Sequence, residues 1–448
     1  MNLPPPLANT WQLSAAMQTK PAFSSQTQLC EDLSHLRPEL LMPAGDLEKL
    51  ETALLFGGDA VYVGGQEYSL RAYAGNFDLA ALGQGVKFAR SMCKKVYVAV
   101  NILAHNRHLK ELPHYLEKLA ELNVDGLIVS DPGVIKLARR CAPRIPITVS
   151  TQANVSNYES AAVFKDMGAA RIVLARELSL DEISAIKARV GMEIEVFIHG
   201  AMCVSYSGRC LLSYYMTGRS ANQGACAHPC RYRYALQEEK RPGQYYPIEE
   251  DQHGTYILNS RDLCLLDYIP QLIEAGVDAF KVEGRMKSPL YTAVTARVYR
   301  QAIDKWLQSR SPYSPPDLEA WRLELRGIAT RPYTTGFICG SADELQDTAK
   351  TPRDDYHFEF CGMVKGRDQE RGRIEVEQRA NFGRGEDLEI MIPPQDIRPL
   401  TLTELYDSDG MPLDRARHAR QRVWIPSSEP VLPNSILRRV LRRAGRAE

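Results

Sequence analysis

No stretch of the 448-residue sequence is apolar for long enough to cross a bilayer as a helix, which takes about 20 residues. The N-terminus also lacks the cationic start and continuous apolar core of a signal peptide. Residues 1–30 contain no acid, but Lys20 is their only cation, too little for a transit peptide. These absences predict a cytoplasmic protein with no membrane partner, and in that reducing compartment structural disulfides are not expected. Charge of one sign is missing as well. The 55 basic side chains are matched by 55 acidic ones, so DNA is not an expected partner and any attraction for phosphate has to be local. Self-sufficient protease motifs such as HExxH and GxSxG do not occur, although a cysteine dyad assembled from distant residues needs no such motif.

What is present begins with an ordinary globular composition, 44% hydrophobic and 25% charged, in a chain long enough for two or three folding units. Residues 1–37 are rich in Pro, Ser, Thr and Gln and read as a disordered lead. From Glu39 short apolar strands alternate with helical patterns: ELLMPA, AVYVGG, KVYVAVN, GLIVS, PITVST, RIVLAR, IEVFIHG and AFKVEGR. Strands apolar on both faces belong to a parallel sheet covered by helices. Eight βα units over roughly 270 residues match a TIM (β/α)8 barrel, here spanning 38–309, better than an open doubly wound sheet. Chemistry in such barrels sits at the C-terminal strand ends. Those ends are polar here and include Asn101, Ser130-Asp131, Thr151-Gln152-Ala153-Asn154, Arg176-Glu177, His199-Gly200 and Glu283-Gly284-Arg285.

A long insertion, 203–264, follows strand seven and interrupts the barrel before its eighth unit, as functional loops of that length do. Beyond the barrel, 310–345 reads as a helical connector. Residues 346–448 then read as a small all-β barrel, with strands HFEFCGMV, RIEVEQR, DLEIMIP, TLTELYD and QRVWIP and turns at Gly362, Gly372, Gly383 and Gly410. The tail is basic: from Arg415 onward nine arginines face only Glu429 and Glu448. Arg438, Arg439, Arg442 and Arg443 fall at helical spacing, either as a solvated face or as a phosphate-contacting one.

The stretch 195–233 holds four of the ten cysteines, Cys203, Cys210, Cys226 and Cys230, in the pattern C-x6-C-x15-C-x3-C. That spacing matches neither the paired knuckles of structural zinc nor the compact ferredoxin run. Iron–sulfur clusters tolerate irregular spacing, and spacing alone leaves iron–sulfur and zinc level. A nucleophilic cysteine paired with His199 or His228 accounts for one thiol and not for four.

Longer motifs go further. EVFIHGAMCVSYSGRCLLS at 195–213, GRSANQGACAHPCRYRY at 218–234, NSRDLC at 259–264 and KVEGRMKS at 281–288 resemble the collagenase-like peptidase family of unknown catalytic type. The resemblance spans the barrel and continues into a C-terminal β-domain at 334–448. EEKRPGQYYPIEEDQHGTYILNSRDLC at 238–264 is most similar to the branch that hydroxylates uridine in tRNA. The resemblance implies an oxygen-independent enzyme making 5-hydroxyuridine at the wobble position, with a [4Fe–4S] cluster on Cys203, Cys210, Cys226 and Cys230 and prephenate as oxygen source. The implied partners are the tRNA anticodon arm and prephenate, with no electron donor identified. The alternatives are a protease, as the family name says, and a zinc-stabilised RNA-binding scaffold.

Prephenate has two carboxylates, so cations are expected at the barrel mouth, and Arg71, Arg176 and Lys287 are the substrate-binding candidates. Lys281, Glu283 and Arg285 alternate along strand eight and share its interior face, where charge has to be paired or used. With His199 as a proton donor they form the catalytic candidates. His228, between two ligand cysteines, is placed to support a sulfur. Cys264 reads as a packing residue at a helix start.

Overall fold

A computed structural model describes residues 37–69, 75–203, 205–231, 250–251, 254–255, 261–339, 356–427 and 430–442. The apolar runs form the expected parallel strands: β1 (Glu39–Pro43), β2 (Ala60–Gly64), β3 (Lys95–Val100), β4 (Gly126–Val129), β5 (Ile147–Val149), β6 (Arg171–Val173) and β7 (Glu193–Ala201). After the insertion comes β11 (Ala279–Val282), which pairs with β1 on one side and β7 on the other, Phe280 aligning with Leu40 and with Val196. That double pairing closes the sheet into an eight-stranded parallel barrel and excludes the open doubly wound sheet.

Most covering helices start where a polar side chain caps them. Asp46, Asp78, Asp131 and Asn157 accept from the backbone of the first turns of α1 (Leu47–Leu55), α2 (Leu79–Ser91), α4 (Pro132–Cys141) and α5 (Tyr158–Asp166). Ser179 and Glu182 make a reciprocal capping box on α6 (Leu180–Val190). Each such cap is worth about 1 kcal/mol. The loops that lead to the Asp46 and Asp131 caps are short, whereas those that lead to Asp78 and Asn157 are longer. The uncapped α3 (Leu112–Glu121) relies on Pro at its start instead.

The insertion adds α7 (Leu212–Thr217), the two-residue strands β8 (Glu250–Asp251) and β9 (Gly254–Thr255), and β10 (Asp262–Cys264). β10 runs antiparallel to the protruding end of β7, with Cys264 opposite His199, so Cys264 is a strand residue and not the helix start expected. The short α8 (Ile269–Glu274) then leads to β11. α9 (Pro289–Ser309) and α10 (Pro315–Gly327) follow the barrel, and β12 (Tyr333–Thr334) returns to pair with β10. The connector thereby extends the barrel sheet, which composition did not foreshadow.

The barrel interior carries a charged layer at its N-terminal end. Lys281 Nζ on β11 donates to Glu195 Oε1 on β7 at 2.7 Å. Arg171 on β6 reaches Glu195 at 3.2 Å, Glu39 on β1 at 2.7 Å and Glu193 at 2.8 Å. Lys95 and the Tyr97 hydroxyl on β3 also bond Glu39, at 2.8 and 3.1 Å. Burial pushes the Glu39 carboxyl up, but Arg171 and Lys95 outweigh it and hold it below its ordinary value. Five strands are thus tied together by ion pairs in which Glu195, Lys281, Arg171 and Glu39 are largely shielded from water, while Lys95 and Glu193 sit at the exposed edge.

The C-terminal domain is antiparallel and all-β. Its main sheet orders as β17 (Asp396–Thr401), β16 (Asp387–Ile392), β20 (Ile436–Arg442), β13 (Tyr356–Asp368), β14 (Arg373–Gln378) and β19 (Arg422–Pro426). A small pair joins β15 (Phe382–Gly383) to β18 (Arg415–Ala416). Among the described residues the edge strands β17 and β19 do not pair with each other. Three expectations are corrected. Gly362 is paired inside β13 with Leu437 and Gln378, next to a bulge at Cys361, and is not in a turn, and Gly383 likewise lies in β15; a Cβ on Gly362 would lie 2.6 Å from Val376 Cγ1. The strand placed at 401–407 lies earlier, at Asp396–Thr401.

The third correction concerns the basic tail. Its last element is the strand β20, paired along β13, and not a helix; Arg443 lies outside the described residues. Arg438 is 1% exposed and makes a two-pronged pair with Glu324 of α10, 2.7 Å for each prong. It also bonds Glu389 of β16 at 2.7 Å and stacks 3.7 Å from the Phe358 ring centroid. Arg439 pairs with Glu359 and Glu386, Arg415 with Glu386, and Arg422 with Glu375. These arginines bind the domain's own carboxylates. Lys365 and Arg379 meet Glu48 of α1 at 2.8 and 2.6 Å, fastening the domain to the barrel flank.

Replacing Arg438 with Met strands Glu324 and Glu389 at a buried junction. Removing one member of such a group costs about 3–5 kcal/mol, and urea unfolding followed by tryptophan fluorescence will show the midpoint fall accordingly.

Candidate active site at the barrel mouth

The mouth is shaped where β7 and β11 end side by side. Gly200 sits at φ +104°, and a Cβ there would lie 2.5 Å from the Glu283 carbonyl oxygen. Only glycine lets the two strand ends approach this closely. At the end of β2, Gly64 leaves room for Arg285, whose Nη1 would be 2.0 Å from an added Cβ. Arg285 is buried there and donates to Ser69 Oγ at 2.9 Å.

His199 lies at the centre, 1% exposed, within a cage of Tyr291, Tyr299 and Tyr333 whose ring centroids are 5.8, 5.5 and 5.2 Å away. Tyr299 and Tyr291 come from α9 and Tyr333 from β12. The Tyr299 hydroxyl donates to the Ile198 carbonyl at 3.0 Å and lies 3.1 Å from His199 Nδ1. With its proton committed to Ile198, that hydroxyl accepts from Nδ1–H, which leaves the imidazole lone pair on Nε2. Nε2 is buried and has no hydrogen-bond partner among the described residues. Burial, helped by the charge of Lys287, pushes His199 down to about 3. The ring is therefore neutral at physiological pH and offers an acceptor, not the proton expected of it.

The other candidates distribute over two depths. Glu283 accepts from the Tyr62 hydroxyl at 3.0 Å, and its own carbonyl accepts from Tyr291 at 2.7 Å. Lys287 bonds Thr330 Oγ1 at 2.8 Å and lies 5.4 Å from the Tyr291 ring centroid. Arg176 donates to the Ala201 carbonyl at 3.0 Å and stacks 3.9 Å from the Phe197 centroid. Glu177 beside it is held above its ordinary value by burial. His199, Glu283, Arg285, Lys287 and Arg176 thus share the mouth. Lys281 sits a layer below, in the ion-pair layer with Glu195, where Tyr62 packs 4.4 Å from its Nζ. Arg71 lies outside the described residues.

The cysteine loop folds back on the same face. Asn154 donates to the Ser207 carbonyl at 2.8 Å, Leu103 N–H to Asn222 O at 3.4 Å, and Ala227 N–H to Ser213 Oγ at 2.9 Å. Cys203, Cys210, Cys226 and Cys230 all lie in it as free thiols. The His228 backbone N–H donates to Cys226 Sγ at 3.4 Å, a bond that supports a ligating sulfur. In donor type and placement the four thiols suit an iron–sulfur cluster. They are not gathered in advance: among the described residues no three His, Cys, Asp or Glu side chains stand together as a metal site. Cys264 differs, with its thiol 3.6 Å from the Tyr299 hydroxyl and pushed up by burial. A thiol kept protonated in this way is a poor nucleophile.

With this geometry in view, comparison with known proteins places the chain. Residues 45–348 match the model of Peptidase family U32, and 357–438 match that of the Peptidase family U32 C-terminal domain. The chain belongs to peptidase family U32. It is 38% identical over 403 residues to tRNA hydroxylation protein P1 of Bacillus subtilis, covering 90% of this chain and 95% of that protein. Identity to tRNA hydroxylation protein P of Escherichia coli is 37% over 440 residues, covering 87% and 94%. The E. coli 23S rRNA 5-hydroxycytidine C2501 synthase is 38% identical over 278 residues, 62% of this chain but 41% of that one. No described helix is long and apolar enough to cross a membrane.

Sequence reasoning missed the tyrosine cage, the Ser69 contact to Arg285, and the charged layer of Glu39, Arg171 and Glu195. Tyr291 and Tyr299, about two turns apart on α9, were the available signal for the cage. Nothing local marks Tyr333, which reaches the site only because β12 pairs with β10.

A histidine held neutral in the fold but free to protonate when unfolded makes stability fall as pH drops below the ordinary histidine value of about 6.5. The loss is up to about 1.4 kcal/mol per pH unit. Denaturation midpoints of wild type between pH 7 and pH 5 (a range of about two units) will show this slope, and His199→Gln will flatten it.

Proposed function

We propose that this chain hydroxylates tRNA, forming 5-hydroxyuridine at the wobble position without molecular oxygen, with prephenate as the oxygen source. The observation that carries the reading is near full-length similarity to relatives named for tRNA hydroxylation, taking in barrel, cysteine loop and C-terminal domain together. Cys203, Cys210, Cys226 and Cys230 would hold a [4Fe–4S] cluster, which supplies one-electron chemistry when bound.

The chain's own residues supply the rest. Arg176, Arg285 and Lys287 provide positive charge at the mouth for a dicarboxylate, the guanidinium groups being suited to two-pronged contact. His199 presents an Nε2 lone pair from a water-poor cage, suited to accepting a hydrogen bond from a reacting group. Glu283 is held by Tyr62 at the same rim. Lys281 and Glu195 keep the floor of the site fixed. A wobble base suits such a recess because it lies in a single-stranded loop and is splayed out at little unstacking cost.

Anaerobically purified protein is expected to be brown and to carry about four irons, and Cys226→Ser is expected to lose both colour and iron. A colourless protein holding zinc would overturn the cluster. In a strain lacking the gene, mass spectrometry of tRNA nucleosides is expected to show 5-hydroxyuridine derivatives depleted, and an unchanged nucleoside profile would overturn the substrate.

A further inference from the structure

The cysteine loop presents apolar side chains to water where they gain nothing from folding. On α7 Tyr215 is 89% exposed and Tyr214 60%; Leu211 just before it is 69% exposed, and Tyr206 earlier in the same loop 51%. Exposed aromatic side chains concentrated in one segment mark an interaction site. Its charge setting says what kind. From Val196 to Gln237 the sequence contains no acidic residue but has Arg209, Arg219, Arg231 and Arg233. The loop after β3, held to this segment through Leu103 and Asn222, is likewise free of acids from Asn101 to Lys110 and carries Arg107 and Lys110. In a chain whose charges balance overall, both are acid-free, cation-bearing stretches of sequence, and Arg209 and Arg219 lie in the same described loop as the exposed tyrosines.

Aromatic faces interleaved with cations are the chemistry of single-stranded nucleic acid, where bases stack on rings and phosphates meet arginine and lysine. We infer that the α7 face, through Tyr206, Tyr214 and Tyr215, is the platform on which unpaired RNA bases flanking the reacting nucleotide stack, beside the barrel mouth. The inference rests on the tRNA reading above and names the surface that reading lacks. It also accounts for α7 being amply exposed although Ser213 on its inner side is buried and bonded to Ala227. The helix is pinned from below and bare above.

The test is a cycle with the full-length protein. One RNA is an anticodon stem-loop with all its loop bases; the other carries abasic sites on both sides of the wobble uridine. Wild type is expected to bind the intact loop about ten-fold or more tighter than the abasic one, in line with the cost of losing a stacked base. Tyr214→Ala/Tyr215→Ala should bind both equally, and Tyr215→Phe should restore the difference because it keeps the ring. Melting curves check folding, and single Tyr215→Ala, at the most exposed position, should lose part of the discrimination. If wild type binds and modifies RNA but ignores the abasic sites, the platform is wrong and the tRNA reading stands. If wild type binds neither RNA, both fall. Self-association removed by Tyr215→Ala with RNA discrimination unchanged would assign the face to a second copy of the chain and overturn the proposal.

Discussion

The barrel depends on neutralising Glu195. Its side chain is fully buried on β7, and it is held by Lys281 from β11 and Arg171 from β6. A buried carboxylate without partners costs several kcal/mol, more than a well-packed strand returns. Arg171 carries the link on to Glu39 of β1, so the strands that close the barrel are the ones joined by charge. The consequence reaches the mouth. β11 ends at Val282, so of the three charged residues expected to alternate along it only Lys281 lies in the strand; Glu283 and Arg285 follow on the turn after it, around Gly284 at φ +150°. Fixing Lys281 against Glu195 anchors the strand from which that turn leaves.

The same logic organises the C-terminal domain on a different face. Arg438 stands between Glu324 of α10 and Glu389 of β16 while stacking on Phe358, and Glu48 of α1 takes Lys365 and Arg379. A domain fastened by buried pairs along the barrel flank is not a tethered appendage. Its arginines serve first to hold this arrangement, which removes most of the described tail residues from the pool available to phosphate.

Much of this was legible in the sequence because it rests on local rules. Strand hydrophobicity and eight repeats specify a barrel and say which strand ends form its active face. The four clustered thiols stand out for the same reason. What escaped depends on contacts between distant segments. Arg438 and Arg439 fit helical spacing as well as a strand, and only pairing with β13 decides between them. Tyr333 is an unremarkable residue of a connector until β12 lies beside β10. Glu39 and Arg171 begin their strands, at the end of the barrel where chemistry was not sought. Their buried partnership is invisible until the sheet closes.

The two ends of the barrel treat charge in opposite ways, and that contrast locates the function. At the floor, Arg171 meets three carboxylates and its charge is spent on structure. At the rim, Arg176 is held by a backbone carbonyl and the face of Phe197, contacts that position a guanidinium without neutralising it. His199 shows the same economy: one nitrogen is anchored through Tyr299, and the other is buried with nothing to bond. An orphaned acceptor costs about 1–3 kcal/mol, a cost the fold carries when a bound molecule supplies the missing donor. The tyrosine cage keeps that ring neutral and dry, so its lone pair stays available as a hydrogen-bond acceptor at physiological pH.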